Sequence, residues 1–361
     1  MSGSPPKTPI IGRGALSNLP SRYLRHVADQ AYAHEDPDRD ESPPARRVTH
    51  LHRESARTII SSNSSPDVPF EQSINPYRGC EHGCIYCFAR PSHTRLGLSA
   101  GLDFESEIYW KPDAVRLLDL ELARSGYRVK TIHLGANTDP YQPVERRLGL
   151  TRALLERFLE YRHPVTVLTK GALIERDVDL LSELARYQLT RVAFSITTLD
   201  EGLKRTLEPR AASAGARLRA MRMLADAGVP VSVMVAPVIP RVTDHELEDV
   251  LAAARDAGAR WAGWILLRLP LEVEPLMREW LDTHRPASAA HVYSNLADCH
   301  GGRAYDSRYH HRQAGRGAYA SMLRQRFQLA VRRLGYQLGS PPALESHAFR
   351  PPTVGGQLRL L

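Results

Sequence analysis

Short apolar runs alternate with helical patterns along the chain from about residue 73. The apolar runs are rich in β-branched residues and predict strands at Ile74 and at 129–134, 165–168, 191–196, 231–235 and 264–267. Between them, apolar residues recur at helical spacing, as at Leu150, Leu154 and Phe158. Six strands that alternate with helices predict a parallel α/β sheet, and right-handed crossovers would curl this sheet into a barrel. The pattern alone is also consistent with a second arrangement, two doubly wound (Rossmann-like) halves.

The pattern divides the chain into three parts. Residues 1–70 combine prolines, an acidic run at 35–41 and few apolar residues, and they are predicted to be a largely disordered N-terminal arm. Residues 71–270 are the predicted barrel. Residues 271–361 are less regular, with helices predicted at 276–281 and, as a basic amphipathic helix, at 316–334. They are expected to form a helical C-terminal extension that closes the barrel.

The composition is typical of a soluble globular protein. The chain has 361 residues, of which 42% are hydrophobic and 24% are charged. There is no run of about 18 apolar residues, so no transmembrane helix and no membrane partner are predicted. The first residues lack the apolar core of a signal peptide and cysteines are few, so a cytoplasmic location is expected. The formal net charge of +8 favours an anionic partner, nucleic acid first, although an arginine excess is also typical of a GC-rich genome.

Three of the four cysteines, Cys80, Cys84 and Cys87, follow one another with the spacing C-x3-C-x2-C. Clustered thiolates select zinc or iron–sulfur clusters. Three thiolates can hold three corners of a [4Fe–4S] cube, which leaves the fourth iron open to a substrate or cofactor. The alternative is a structural zinc site that uses the three cysteines with His82 or His93. Zinc sites usually space their ligands as two separated pairs, so the spacing favours iron–sulfur.

The segments around these cysteines, 75–80 (NPYRGC) and 87–90 (CFAR), together with Tyr86, resemble the radical S-adenosylmethionine (SAM) superfamily. Within it they are similar to the branch that contains spore photoproduct lyase and the "DNA repair photolyase-like" proteins. The resemblance implies an α/β fold, a partial (β/α)6 TIM-like barrel with the cysteines in its first βα loop. It implies a [4Fe–4S] cluster and SAM, whose reductive cleavage gives methionine and a 5′-deoxyadenosyl radical. It also implies a reducing electron donor such as flavodoxin or ferredoxin.

Residues at or after the predicted strand ends are candidate SAM ligands under this resemblance, because barrel active sites lie at the C-terminal ends of the strands. The resemblance assigns 137–139 to the SAM ammonium group and Lys170 to SAM or an anionic substrate. It assigns Ser195 and Thr197 to the ribose hydroxyls, Arg210 to the SAM carboxylate and Ile239 to adenine. Turns, caps, strand ends, surface salt bridges and core packing are the structural alternatives. The candidates are Asn137, Thr138 and Asp139 after the second strand, Lys170 after the third, Ser195 and Thr197 at the fourth, then Arg210, and Ile239 after the fifth.

The fourth cysteine, Cys299, is a candidate donor of a hydrogen atom to a product radical; the alternative is an inert core residue. Spore photoproduct lyase has its hydrogen-donor cysteine between the cluster motif and mid-barrel, and this chain departs from it, with no cysteine from 88 to 298. Arginine, tyrosine and histidine residues interleave between 303 and 312. Such residues grip phosphates and stack on bases, unless the segment is only a loop.

The predicted function is therefore a radical SAM enzyme that acts on nucleic acid, in DNA repair or RNA modification. A peptide or protein substrate is the enzymatic alternative. A zinc-stabilised nucleic-acid-binding module without catalysis is the alternative of a different class.

Overall fold

The computed structural model describes residues 9–23 and 47–353. The strands in these residues are β1 (His50–Arg53), β2 (Ile60–Ser62), β3 (Gln72–Ile74), β4 (Tyr77–Arg78), β5 (Glu107–Trp110), β6 (Ile132–Leu134), β7 (Val165–Thr169), β8 (Thr190–Ser195), β9 (Val231–Val238) and β10 (Trp261–Leu266). The α-helices are α1 (Leu102–Ser106), α2 (Ala114–Leu122), α3 (Glu145–Leu148), α4 (Leu150–Glu160), α5 (Val178–Arg186), α6 (Glu201–Leu207), α7 (Ala214–Asp226), α8 (Leu247–Asp256), α9 (Val273–His284), α10 (Pro286–Cys299) and α11 (Gly317–Arg333). Short 3-10 helices occur at Arg90–Leu96, Leu173–Asp177 and Asp244–Glu246.

Six parallel strands form the main sheet in the order β3, β6, β7, β8, β9, β10, which is also their order in the chain. A doubly wound sheet reverses its strand order at a switch point, and this sheet does not. The prediction of a six-stranded partial barrel is therefore confirmed. β2 pairs antiparallel with β3 at one edge, and β10 lies at the other. In the described part of the chain these two edges do not pair with each other, so the barrel is open.

The hydrophobic positions of strands and helices meet in one core. In β9, Val231, Val233 and Val235 are buried, because successive side chains of a strand point to opposite faces. Leu154 and Phe158 of α4, which recur at helical spacing, are also fully buried. Because these side chains fill the space between the sheet and the helices, a site can form only in the loops at the ends of the barrel. In barrels of this kind it lies at the C-terminal ends of the strands.

The connection between α6 and α7 is fixed by two N-caps. The Asp200 carboxylate accepts hydrogen bonds from the first backbone N–H groups of α6, and the Ser213 hydroxyl accepts one from Ala216 N in α7. Such caps satisfy donors that the first helical turn leaves free. They define the course of the intervening loop, which carries Glu208, and the start of α7, which carries Arg217 on its buried face.

The N-terminal region contains more structure than the sequence predicted. β1 pairs in parallel with β5, and β5 also pairs with β4, so residues 50–53 belong to a small three-stranded sheet. Ala15 and Ile59 are buried in the main core. These segments have few apolar residues, but the few that they have pack against the barrel. Such long-range contacts cannot be predicted from local composition. Residues 1–8 and 24–46 of the predicted arm lie outside the described residues.

The C-terminal extension packs beside β10. The predicted helices at 276–281 and 316–334 are observed as α9 and α11, and α10 lies between them. Leu266 N, in β10, donates a hydrogen bond to Gln313 O (2.8 Å), and Gln337 N donates to Arg260 O (2.9 Å). The extension thus satisfies backbone groups along this edge strand. None of the helices in the described ranges combines the length and apolar character needed to cross a membrane.

Candidate active site

The loop that carries the three cysteines turns at two glycines. Gly79 and Gly83 have φ values of 75° and 68°, a left-handed conformation that glycine adopts without steric penalty. A Cβ at Gly79 would lie 2.9 Å from a backbone oxygen of α1, so the position also lacks space for a side chain. With these turns, Cys80 and Cys84 are buried and Cys87 is half-buried.

Arg90 holds this loop from inside the protein. Its guanidinium group donates hydrogen bonds to the carbonyl oxygens of Gly83 (3.2 Å) and Cys84 (2.9 Å), and to those of residues 100 and 101. It also forms a 2.5 Å ion pair with Glu105, and both side chains are 0% exposed. A buried charge is tolerated when it is paired and hydrogen-bonded, and this pair uses its hydrogen bonds to fix the backbone of the cysteine loop.

Residues 13–15 support the same loop from the N-terminal region. The N–H groups of Gly14 and Ala15 donate to the Glu105 carboxylate (3.0 and 2.9 Å), and Arg13 donates to the Glu105 carbonyl oxygen (2.5 Å). A Cβ at Gly14 would lie 1.9 Å from the carbonyl oxygen of Gly83, so the two backbones are in contact. Sequence reasoning gave this segment no role, because its partner Glu105 lies 90 residues beyond Ala15.

A cavity of about 180 Å³ lies at the C-terminal ends of the barrel strands. The three cysteines line it together with four of the eight predicted SAM ligands, which follow or end the neighbouring strands β6, β7 and β8: Asn137, Asp139, Lys170 and Ser195. Further lining residues include His82, Tyr86, Phe88 and Arg268. We call this space the cysteine cavity. It brings the predicted metal ligands and half of the predicted SAM ligands to one place.

Lys170 places its ammonium group among oxygen atoms beside the cysteine cavity. Its Nζ donates to Ser195 Oγ (2.8 Å), Thr197 Oγ1 (3.1 Å) and Glu208 Oε1 (2.9 Å). It also lies 5.5 Å from the centre of the Tyr86 ring. Thr197 does not line the cavity, but Lys170 connects it to the residues that do.

Glu208 is a buried carboxylate that sequence reasoning missed. It pairs with Lys170 and Arg217, and it accepts hydrogen bonds from the hydroxyls of Tyr86 and Thr197. Burial by itself would raise the pKa of Glu208, but the charges of Arg217 and Lys170 outweigh it and hold the pKa well below its usual range. The carboxylate therefore stays ionised and fixes two groups that line the cavity, Lys170 and Tyr86.

Arg217 could have been found from the hydrophobic pattern. It lies on the face of α7 that is otherwise apolar, with Ala214, Ala220, Met221 and Leu224, and all five residues are buried. An arginine is rarely fully buried unless it is paired, so an arginine at such a position predicts an internal carboxylate. Glu208 itself lies in a loop, where no periodicity marks it.

Asp139 is held by hydrogen bonds within the protein. Its carboxylate accepts from Tyr141 N (2.8 Å), Thr169 Oγ1 (2.7 Å) and Lys170 N (2.7 Å), and His82 Nδ1 lies 3.3 Å from Oδ2. Burial acts to raise the pKa of Asp139, but His82 and these hydrogen bonds outweigh it, and the pKa is lowered. A carboxylate has about four acceptor positions, and contacts within the protein occupy most of those of Asp139. The side chain nevertheless lines the cavity.

Three other predicted SAM ligands lie outside the cavity lining. Thr138 is buried, and its hydroxyl donates to the Tyr77 carbonyl oxygen (2.9 Å). Arg210 pairs with Glu81 (2.9 Å) and lines a different cavity. Ile239 is fully buried in the core. The structure does not bring these side chains to the cysteines, and their assignment to SAM stays a prediction.

Cys299, the candidate hydrogen donor, does not line the cysteine cavity. It ends α10, is 2% exposed, and burial raises the pKa of its thiol to about 11. Gly315 lies against both Cys299 and Leu266, and Leu266 lines the cavity. Cys299 is thus close behind the cavity wall, and its proposed role as hydrogen donor stays a prediction.

The donor set at this site fits an iron–sulfur cluster. The three loop cysteines are free thiols that share one cavity, and thiolates are the ligands of [4Fe–4S] clusters. Within the described residues, no three His, Cys, Asp or Glu side chains converge on one metal ion. A cube bonds each thiolate to a different iron, so its ligands need not converge. Of the two histidines considered for zinc, His93 donates to the Glu107 carbonyl oxygen (3.0 Å) and His82 pairs with Asp139.

Comparison with known proteins identifies the family. The model of the radical SAM superfamily matches residues 74–254, about half of the chain, and the chain belongs to this superfamily. The structure is similar to that of spore photoproduct lyase complexed with dinucleoside spore photoproduct, with a TM-score of 0.54. The match covers 79% of each chain at 18% identity, which shows a shared fold.

Similar sequences occur in bacteria and archaea. An uncharacterized protein of Mycobacterium tuberculosis is 39% identical over 194 residues, which are 53% of this chain and 57% of that protein. An uncharacterized protein of Methanocaldococcus jannaschii is 28% identical over 173 residues, 48% of this chain and 62% of that protein. The chain thus spans a little over half the length of the mycobacterial relative.

Proposed function

We propose that this chain reductively cleaves SAM at a [4Fe–4S] cluster held by Cys80, Cys84 and Cys87. The observation that supports this most directly is one cavity in which three thiols and the polar ends of three neighbouring strands meet. When bound and reduced, the cluster supplies the electron that divides SAM into methionine and a 5′-deoxyadenosyl radical. The protein binds and orients these cofactors.

We assign the binding of SAM to Asn137, Lys170 and Ser195. The side-chain amide of Asn137 makes no hydrogen bond within the described chain, so its donors and acceptor are available to a ligand. The charge of Lys170 suits a carboxylate, but its three N–H donors already contact Ser195, Thr197, Glu208 and Ala236. A SAM carboxylate would therefore replace one of the neutral oxygens, while Glu208 keeps the ammonium group in place. The Ser195 hydroxyl donates to Ala236 O and accepts from Lys170, so it has one further acceptor position for a sugar hydroxyl. Asp139 places a negative charge at the cavity wall, where an ammonium group would be favoured.

Nucleic acid is the substrate that the mouth of the cysteine cavity fits best. Phe88, directly after the third cysteine, is 42% exposed, and the Arg268 guanidinium lies 4.9 Å from the centre of its ring. Exposed aromatic rings and arginine planes stack on nucleobases. Both residues line the cysteine cavity, so a base stacked there would lie next to the site of radical formation. The net charge of +8 agrees with an anionic substrate.

The proposal is tested by anaerobic reconstitution with iron and sulfide, followed by reduction with dithionite in the presence of SAM. The parent chain is expected to show iron–sulfur absorption and to form 5′-deoxyadenosine. Cys84→Ser is expected to lose both. Cys299→Ser, which removes a cysteine outside the cavity, is the matched control and should retain the cluster absorption.

The substrate class is tested in the same assay by adding single-stranded DNA or RNA. An increase in the rate of 5′-deoxyadenosine formation with either strand is the expected result. Bound zinc with no iron–sulfur absorption and no SAM cleavage in the parent chain would refute the proposed reaction. SAM cleavage that neither strand changes would refute the proposed substrate only.

A further inference from the structure

A second polar cavity lies beside the mouth of the cysteine cavity. Its volume is about 460 Å³, and it is lined by residues between 300 and 308 that follow α10. The two cavities are neighbours, because Arg268 lines the cysteine cavity and its Nη2 lies 3.5 Å from the hydroxyl of Tyr305, which lines the second. A chain-like ligand that enters the cysteine cavity could therefore continue into this one.

His300 is the buried polar group of this second cavity. It is 4% exposed, and neither ring nitrogen has a hydrogen-bond partner among the residues the structure describes. Its ring packs edge-to-face on Tyr305, with 6.2 Å between ring centres. Burial lowers the pKa of His300, so the imidazole is neutral, with one donor and one acceptor nitrogen. Buried polar groups normally have partners, and a ligand would provide them.

Among the residues that the structure describes, the charges around the second cavity leave one cation, Arg303, without a counter-ion. Asp306 is paired with Arg308 (2.6 Å). Arg303 forms no ion pair or hydrogen bond within the described chain, and it lines the cavity. Two arginines and one aspartate, with His300 neutral, give the lining a net charge of +1 (2 − 1). A phosphodiester carries one negative charge, and a guanidinium fork matches its oxygens.

We propose that the second cavity binds the phosphodiester adjoining the nucleotide that enters the cysteine cavity. Arg303 pairs with the phosphate oxygens, and the N–H of His300 donates to a phosphate or sugar oxygen. This inference rests on the proposed nucleic-acid substrate and deepens it. It makes the substrate a nucleotide within a strand, since a free nucleoside has no phosphodiester to place beside His300.

Fluorescence anisotropy with labelled single-stranded octanucleotides, one DNA and one RNA, tests this site. Arg303→Gln is expected to weaken binding of the preferred strand about tenfold, the size of a charge-assisted contact. It should also reduce the slope of log K against log salt by about 0.7, the value for one phosphate contact on a single strand. His300→Phe keeps the ring packing on Tyr305, removes both nitrogens, and is expected to weaken binding in the same direction.

Arg333→Gln is the matched control. Arg333 is an exposed arginine in the last turn of α11, and its replacement removes the same charge from the protein but should leave both affinity and salt slope unchanged. Equal affinities for the Arg303 and Arg333 variants, with a parent chain that binds, would overturn the phosphodiester site alone. A parent chain that binds neither octanucleotide would overturn the nucleic-acid substrate, and this inference with it.

Discussion

A single buried carboxylate organises the polar side of the cysteine cavity. Glu208 and Arg217 are each 1% exposed, and Lys170, which shares the carboxylate, is 15% exposed. Removing one member of a buried ion pair leaves the other charge without compensation, which costs more than the pair itself contributes. Glu208 therefore has a structural importance that its distance from the cysteines in the sequence does not suggest.

Glu208→Gln is expected to lower the free energy of unfolding by about 3 kcal/mol, because Arg217 and Lys170 would then face a neutral amide. Chemical denaturation measures this loss. The control is Glu183→Gln, which removes a carboxylate from an exposed pair with Arg186 and should change stability by less than about 0.5 kcal/mol. Equal effects of the two substitutions would show that Glu208 does not act as a buried counter-ion.

The sequence revealed those site residues whose chemistry is concentrated in a short segment. Three cysteines within one loop predict a cluster wherever the loop lies, and the polar strand ends Asn137 and Lys170 follow from the order of the strands. Glu208 could not be found in this way, because its four partners lie in four other segments of the chain: Tyr86, Lys170, Thr197 and Arg217. Arg217 is intermediate, since its position on an apolar helix face indicates burial but not the partner.

The strands of the barrel were predictable because most of them are apolar, β-branched runs between polar turns, and all six are observed. The first, Gln72–Ile74, was predicted only at Ile74. Their ends were less so: the run at 264–267 is observed as Trp261–Leu266, and the run at 129–134 as Ile132–Leu134. Ends depend on which neighbours supply hydrogen bonds. β1 was missed for the same reason, since His50–Arg53 has no apolar alternation and is a strand because β5 pairs with it.

The contact between residues 13–15 and the cysteine loop requires a residue without a side chain at position 14. Gly14→Ala is expected to push this segment away from Gly83, because the new Cβ would lie 1.9 Å from a backbone oxygen. The N-terminal segment would lose its hydrogen bonds to Glu105, the carboxylate that pairs with Arg90 behind the cysteine loop. The chain should then retain less iron and sulfide after reconstitution. Measuring iron and sulfide per chain tests this expectation.

Gly215→Ala is the control for this substitution. Gly215 lies in the first turn of α7, and a Cβ there meets only a flexible arginine side chain at 3.7 Å. Alanine also favours the helix over glycine by roughly 1 kcal/mol, so stability and iron content should not fall. Iron content equal to that of the parent in the Gly14 variant would show that the N-terminal segment is not needed to hold the cysteine loop.

Two buried histidines pack between distant parts of the chain. Because a buried histidine resists protonation, they make the stability of the protein depend on pH. His93 packs under the cysteine loop against Phe104, and His163 packs between Tyr127 of the barrel and Phe349 of the C-terminal extension. Both are 0% exposed, and burial lowers the pKa of each to about 4 from an ordinary value of 6.5. Each side chain is therefore neutral in the folded protein at neutral pH.

A folded-state pKa below the unfolded one means that the unfolded chain binds protons first as the pH falls. For each histidine, the free energy of unfolding is therefore highest above about pH 6.5. It decreases as the pH falls from 6.5 toward 4. Between pH 7 and 5 the expected loss is about 2 kcal/mol for each histidine, measured as the free energy of unfolding in denaturant. His163→Gln should flatten this dependence by that amount, and His245→Gln, at an exposed position, should leave it unchanged. An unaltered pH dependence in the His163 variant would mean that this histidine is already protonated in the folded protein, and that the contact between the barrel and the extension tolerates a charge.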